Sequence, residues 1–182
     1  MKGVRSGYDS ALRLGAREGE TVADVQESMQ GSGTSIYKDD GKTFDDIQAE
    51  PGEKAFTFMH TVPFEGSVGL VNLLTTTRLV RKGFDTTLVL YGPGILMASG
   101  TRGFPNVGDE AFPGHMAINN QVKTLVEEGA TVHACRFAAG ALYGFREDDF
   151  MEGIKPFHPL DVLDSALYAW RNKAFQLNTW TL

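Results

Sequence analysis

Cys135 is the only cysteine in the 182-residue chain, and it stands where an apolar run, Thr131 to Cys135, gives way to RFAAGALYG, a stretch rich in helix formers. A thiol at the amino end of a helix feels the positive pole of the helix dipole, and Arg136 sets a guanidinium beside it in sequence; both favour the thiolate. A thiolate so placed can accept sulfur or pass it on. The alternative is a buried, inert structural cysteine, the commoner fate of a lone Cys, and spacing alone favours that alternative.

Other reactive side chains cluster at the ends of β-rich runs. His60, Thr61 and then Glu65 follow the first run, Tyr91 and Gly92 end the second, and Cys135 with Arg136 ends the third. In an open parallel sheet, ligands bind beyond the carboxyl ends of the strands, so His60, Glu65, Tyr91 and Gly92 are expected to line one ligand crevice with Cys135 and Arg136 as its reactive pair. Each has a simpler alternative: His60 as a hydrogen-bonded structural residue, Glu65 as a helix cap. His133 lies two residues before Cys135, hence on the same face of its strand. No pair among His60, His115, His133 and Cys135 has a metal-ligand spacing, and there is no phosphate loop, HExxH or GxSxG, so neither a metal nor a cofactor is expected.

These residues need a scaffold that brings strand ends together. Lys54 to Val62 reads as a buried strand, Gly66 to Lys82 as a helix with a broad apolar stripe closed by Gly83, and Thr86 to Tyr91 as a second strand. A loop from Ile95 to Gly114 follows, long enough to cover a site with Arg102, Asn106, Asp109 or His115 or to be a plain surface excursion. Then come a helix from His115 to Glu128, a strand from Thr131 to Cys135, a short helix ending at Gly144, and an edge strand from Ile154 to Phe157. Pro159 to Lys173 is expected to be a helix with Leu160, Leu163, Leu167 and Trp170 inward, and Phe175 to Leu182 the last strand. Alternating strands and helices predict an α/β fold: a three-layer α/β/α sandwich on a mostly parallel five-stranded sheet.

The domain is expected over residues 54–182. Residues 1–53 are polar and Gly-rich and read as an arm, either disordered or ordered against another subunit through Ile36, Tyr37, Phe44 and Ile47. A hydrophobic fraction of 42% and a charged fraction of 22% argue against wholesale disorder and against a membrane protein. With 17 Lys plus Arg against 23 Asp plus Glu, the net charge of −6 gives no phosphate-binding surface, so nucleic acid is not an expected partner. One cysteine cannot form an intrachain disulfide and the amino terminus lacks an apolar signal core, which makes the cytoplasm the expected compartment.

GATVHACRFAAGALYG resembles the strand–Cys–helix element of the DsrE-like sulfur-relay proteins, with Cys135 at the position of the persulfide-carrying cysteine. KAFTFMHTVPFEGSVGLVNLLTTTRLVRKGFDTTLVLYGPG, TRGFPNVGDEAFPG and GIKPFHPLDVLDSALYAWRNKAFQLNTWTL resemble a DsrE-like subgroup described as nitrogen-starvation response proteins, encoded near nitrilases. The resemblance spans roughly Gln48 to Leu182. It implies a flavodoxin-like, DsrE-like sheet, a homo-oligomer such as a trimer or hexamer, and a sulfur carrier whose donor or acceptor is another protein's thiol, since the second cysteine of some relatives is missing. The other reading is a non-catalytic oligomer that binds a small ligand or regulates nitrogen metabolism.

Overall fold

The five strands all run parallel, in the order β4-β3-β2-β1-β5. A computed structural model of the full chain describes residues 44–63, 68–99 and 114–179, with side chains in the last range from residue 118; Ile47–Leu182 form one compact unit. The elements are β1 (Lys54–Met59), α1 (Val68–Arg81), β2 (Asp85–Leu90), a 3-10 segment (Gly92–Ala98), α2 (Gly114–Glu127), β3 (Thr131–Cys135), a π-helical turn (Ala138–Leu142), β4 (Ile154–Phe157), α3 (Asp161–Arg171) and β5 (Phe175–Asn178). The α/β fold expected from the sequence is the fold observed. Among the described residues no helix is long and apolar enough to cross a membrane.

The order follows from handedness. From β1 to β4 each crossover steps one strand in the same direction, and right-handed connections then hold α1 and α2 on one face. β5 instead pairs with the far side of β1, so the crossover through α3 lies on the opposite face. Side chains alternate accordingly. Toward α1 the hydroxyls of Thr57 and Thr76 share a hydrogen bond of 2.8 Å, and Leu73, Leu79, Leu88, Leu90, Val122, Leu125 and Val132 form buried core. Arg81 grips both carboxylate oxygens of Glu128 (2.5 and 2.8 Å), tying the ends of α1 and α2 together.

Three expectations change. β1 stops at Met59 instead of Val62: the Met59 carbonyl still accepts from Tyr91 N–H (3.1 Å), but the next amide, His60, donates to the Thr179 side chain at Oγ1 (2.8 Å), which ends the ladder. In α1 the buried face includes Gly69, Thr76 and Thr77, while Val68, Val71 and Leu74 of the expected inward stripe are exposed. The largest change is in α3. Leu160, Leu163, Leu167 and Trp170 face solvent, at 71, 65, 44 and 69% exposure. Ala169 is fully buried and Val162 and Ala166 are partly buried against the core, so the helix seats on a narrow stripe of small residues.

Gly94 decides how closely the 3-10 segment approaches β1. A Cβ there would lie 2.2 Å from the Met59 carbonyl oxygen, whereas one at Gly129 (φ +99°) would meet nothing within 4 Å. Gly94→Ala should therefore destabilise the fold by on the order of 3 kcal/mol or more. Gly129→Ala should cost only the left-handed backbone penalty of about 1–2 kcal/mol. Chemical denaturation of both variants checks the ranking, and equal losses would contradict the close approach.

Candidate functional site

Strand order reverses between β1 and β5, which makes their carboxyl ends the expected crevice of this sheet. Thr179 closes the junction: its amide donates to the Phe58 carbonyl (3.1 Å), and its hydroxyl accepts from His60 N–H (2.8 Å). The exposed His60 ring leans on Tyr91, with centroids 5.0 Å apart and planes at 46°. Gly92 adopts φ +50°, and a Cβ on it would fall 2.5 Å from His60 Cδ2 and Nε2. The imidazole therefore occupies space that only glycine leaves open. Three of the sequence-derived crevice residues, His60, Tyr91 and Gly92, are in mutual contact. Glu65 lies outside the described residues, as do Arg102, Asn106, Asp109 and the side chain of His115.

Cys135 ends β3 opposite Phe157 of β4. It is 4% exposed and belongs to the hydrophobic core together with Ala138 and Ala139 of the turn that follows. Arg136 points outward and is ion-paired with Glu147, both about half exposed. Its guanidinium thus serves a surface carboxylate, and the helical stretch beyond Cys135 is short, residues 136–143 with π geometry at Ala138–Leu142. The thiol and the His60 cluster end different strands of the same edge, with β2 between β1 and β3.

Asn119, on α2, was not singled out by the sequence. It is 2% exposed, and its side-chain amide donates to the carbonyls of Met97 (3.2 Å) and Ser99, fastening the 3-10 segment to α2. A polar residue at a core position of an otherwise apolar helical face is the signal that marks it.

On the α3 face the sheet and helix enclose a cavity of about 440 Å³. Its floor includes Phe56, His133 and Phe157, and its helical wall Asp161, Asp164 and Tyr168. The His133 ring meets Phe157 edge-on at 5.9 Å, and its buried Nδ1 has no hydrogen-bond partner. Burial pushes the His133 imidazole below the usual histidine value, and the charge of Lys155 lowers it further.

Neither a family model nor a curated protein matches the chain. Among solved structures it is similar to the ychN protein of E. coli, at 14% identity and a TM-score of 0.53, covering 69% of this chain and 98% of that one. It is also similar to MTH1491, a protein of unknown function from Methanobacterium thermoautotrophicum, at 16% identity and a TM-score of 0.50, covering 69% and 99%. At such identities the likeness shows the fold, a parallel five-stranded α/β sheet, and leaves activity to the residues themselves.

The lowered His133 value has a consequence for stability. An unfolded histidine takes up its proton near pH 6.5, the folded one at lower pH, so below that value the unfolded state binds more protons. Stability is therefore complete above about pH 6.5 and falls as the pH drops through the folded value. His133→Gln should flatten the loss of melting temperature between about pH 7 and about pH 5.5. An unchanged slope would show that His133 does not contribute to it.

Proposed function

We propose that the chain is a DsrE-like sulfur carrier that holds sulfane sulfur on Cys135, within the subgroup resembling nitrogen-starvation response proteins. The reading is carried by one observation: the only thiol of the chain sits at the carboxyl end of a parallel strand, at the junction with a helical turn. The resemblance of GATVHACRFAAGALYG to the persulfide element of that family supports it. In loading, the Cys135 thiolate attacks one sulfur of a polysulfide; a Cys–S bond to that sulfur forms, an S–S bond breaks, and the shortened polysulfide leaves as an anion. In unloading, an acceptor thiolate takes the outer sulfur and the Cys135 thiolate departs. Burial sets the condition for both steps. With Cys135 at 4% exposure, a sulfur donor reaches it only when the packing around the strand end opens, so access limits the rate. A π-helical turn at this position suits the role, since such turns are marginal in stability and recur at functional sites.

Intact-mass spectrometry after exposure to polysulfide tests the reading. Native protein should gain one sulfur slowly, cyanide should remove it as thiocyanate, and Cys135→Ala should gain none. Native protein that stays unmodified while the denatured chain loads fully would overturn the proposal. The carrier is proposed to work as a homo-oligomer, trimer or hexamer, in which the outward apolar flank of α3 is covered. Leu163→Glu with Leu167→Glu should then shift light-scattering mass to the monomer without lowering helix content, and an unchanged mass would remove α3 from the contact.

A further inference from the structure

One side of α3 meets the cavity with polar and aromatic groups. Asp161, Asp164, Ser165 and Tyr168 recur at i, i+3, i+4 and i+7, the spacing of one helical face, and all four line the cavity. Leucines of the same helix stand in solvent. Both carboxylates lie in the first turn of α3, where they complement the helix dipole, and they also give the cavity a negatively charged wall beside aromatic rings.

Beside the hydroxyls of Thr87 and Tyr168, the polar groups there are mainly acceptors. Asp161 and Asp164 are acceptors only when ionised; one Asp161 oxygen takes the His158 N–H at 3.2 Å, leaving the other. The Ser165 hydroxyl donates to the Val162 carbonyl at 2.9 Å, so its lone pairs remain. His133, held neutral at pH 7 by burial and by Lys155, has an unpartnered buried Nδ1 that can accept. Phe56, Phe157 and Tyr168 supply aromatic rings, whose faces attract cations. Two cations stand near, Lys155, exposed on the edge strand β4, and Lys54, which interacts with Tyr168 but is engaged by Asp85; neither is part of the cavity lining. Acceptors, negative charge and aromatic faces in a space of about 440 Å³, within the range of small-molecule sites, describe one ligand chemistry.

We propose that this cavity binds a small organic cation, its protonated amine or guanidinium meeting Asp161, Asp164 and His133 and its aromatic or alkyl body lying between Phe56, Phe157 and Tyr168. Cys135 is not among the lining residues, though it follows His133 on the same face of β3 and is paired with Phe157.

Titration of the full-length protein with 2-phenylethylamine and benzylguanidine, followed by calorimetry and by the Tyr168 ring resonances, tests the proposal. Matched probes are 3-phenylpropionate and 2-phenylethanol. Both cations should bind saturably and the anion and alcohol should not. Asp164 is exposed, so Asp164→Asn should fold normally, keep its melting temperature and bind the cations about tenfold or more weakly, the loss of a charge-assisted hydrogen bond. His133→Gln should weaken them less. Equal binding of the anion or the alcohol, affinity unchanged by Asp164→Asn, or no saturable response to either cation would each overturn it.

Discussion

One helix has to serve a whole face of this sheet. Five strands at about 4.8 Å spacing make a surface roughly 20 Å wide, while a helix with its side chains spans about 10–12 Å. On the opposite face α1 and α2 share the task, and the core there is continuous. Among the crossovers of this sheet only the one between β4 and β5 reverses direction, so among the described helices α3 alone lies on that face. Part of that face must therefore remain a cavity or be covered from outside the unit.

The sequence of α3 meets this constraint in sectors. Val162, Ala166 and Ala169 let the backbone approach the sheet, where a leucine stripe would hold it further off. Carboxylates and Tyr168 overlook the open part, and Leu160, Leu163, Leu167 and Trp170 project away from the sheet. Read as a pattern, the helix is amphipathic in the ordinary way, and the ordinary rule places its leucines inside. Periodicity reports that an apolar flank exists. Whether that flank meets its own sheet depends on how much sheet is left uncovered, which no single segment encodes.

The strands were legible for the complementary reason. Short runs of β-formers bounded by Gly and Pro, such as Thr131 to Cys135 and Ile154 to Phe157, pair as strands whichever helix covers them, and each buries at least one face. The crevice residues His60, Tyr91 and Gly92 were legible too, because strand ends converge in any parallel sheet, whatever the helices do. Their close fit was not. That His60 needs a residue without a Cβ at position 92 follows from φ +50° and from the 3-10 turn bending back over Met59, a long-range packing fact. Asn119 was missed because its partners are main-chain carbonyls about twenty residues away, and main-chain acceptors carry no residue-type signal.

Cys135 shows where local reasoning meets its boundary. Position in a βα unit fixes that the sulfur lies at the rim of the sheet, and that much follows from sequence. Depth depends on the turn that comes next. Cys135 is buried in the same core as Ala138 and Ala139, and the guanidinium of Arg136 is committed to Glu147. Reactivity in such a site is governed by an opening equilibrium before it is governed by thiolate character, since a nucleophile out of reach of its partner gains nothing from a lowered pKa. For a buried thiol the free energy of exposing it is then the quantity that decides whether it reacts.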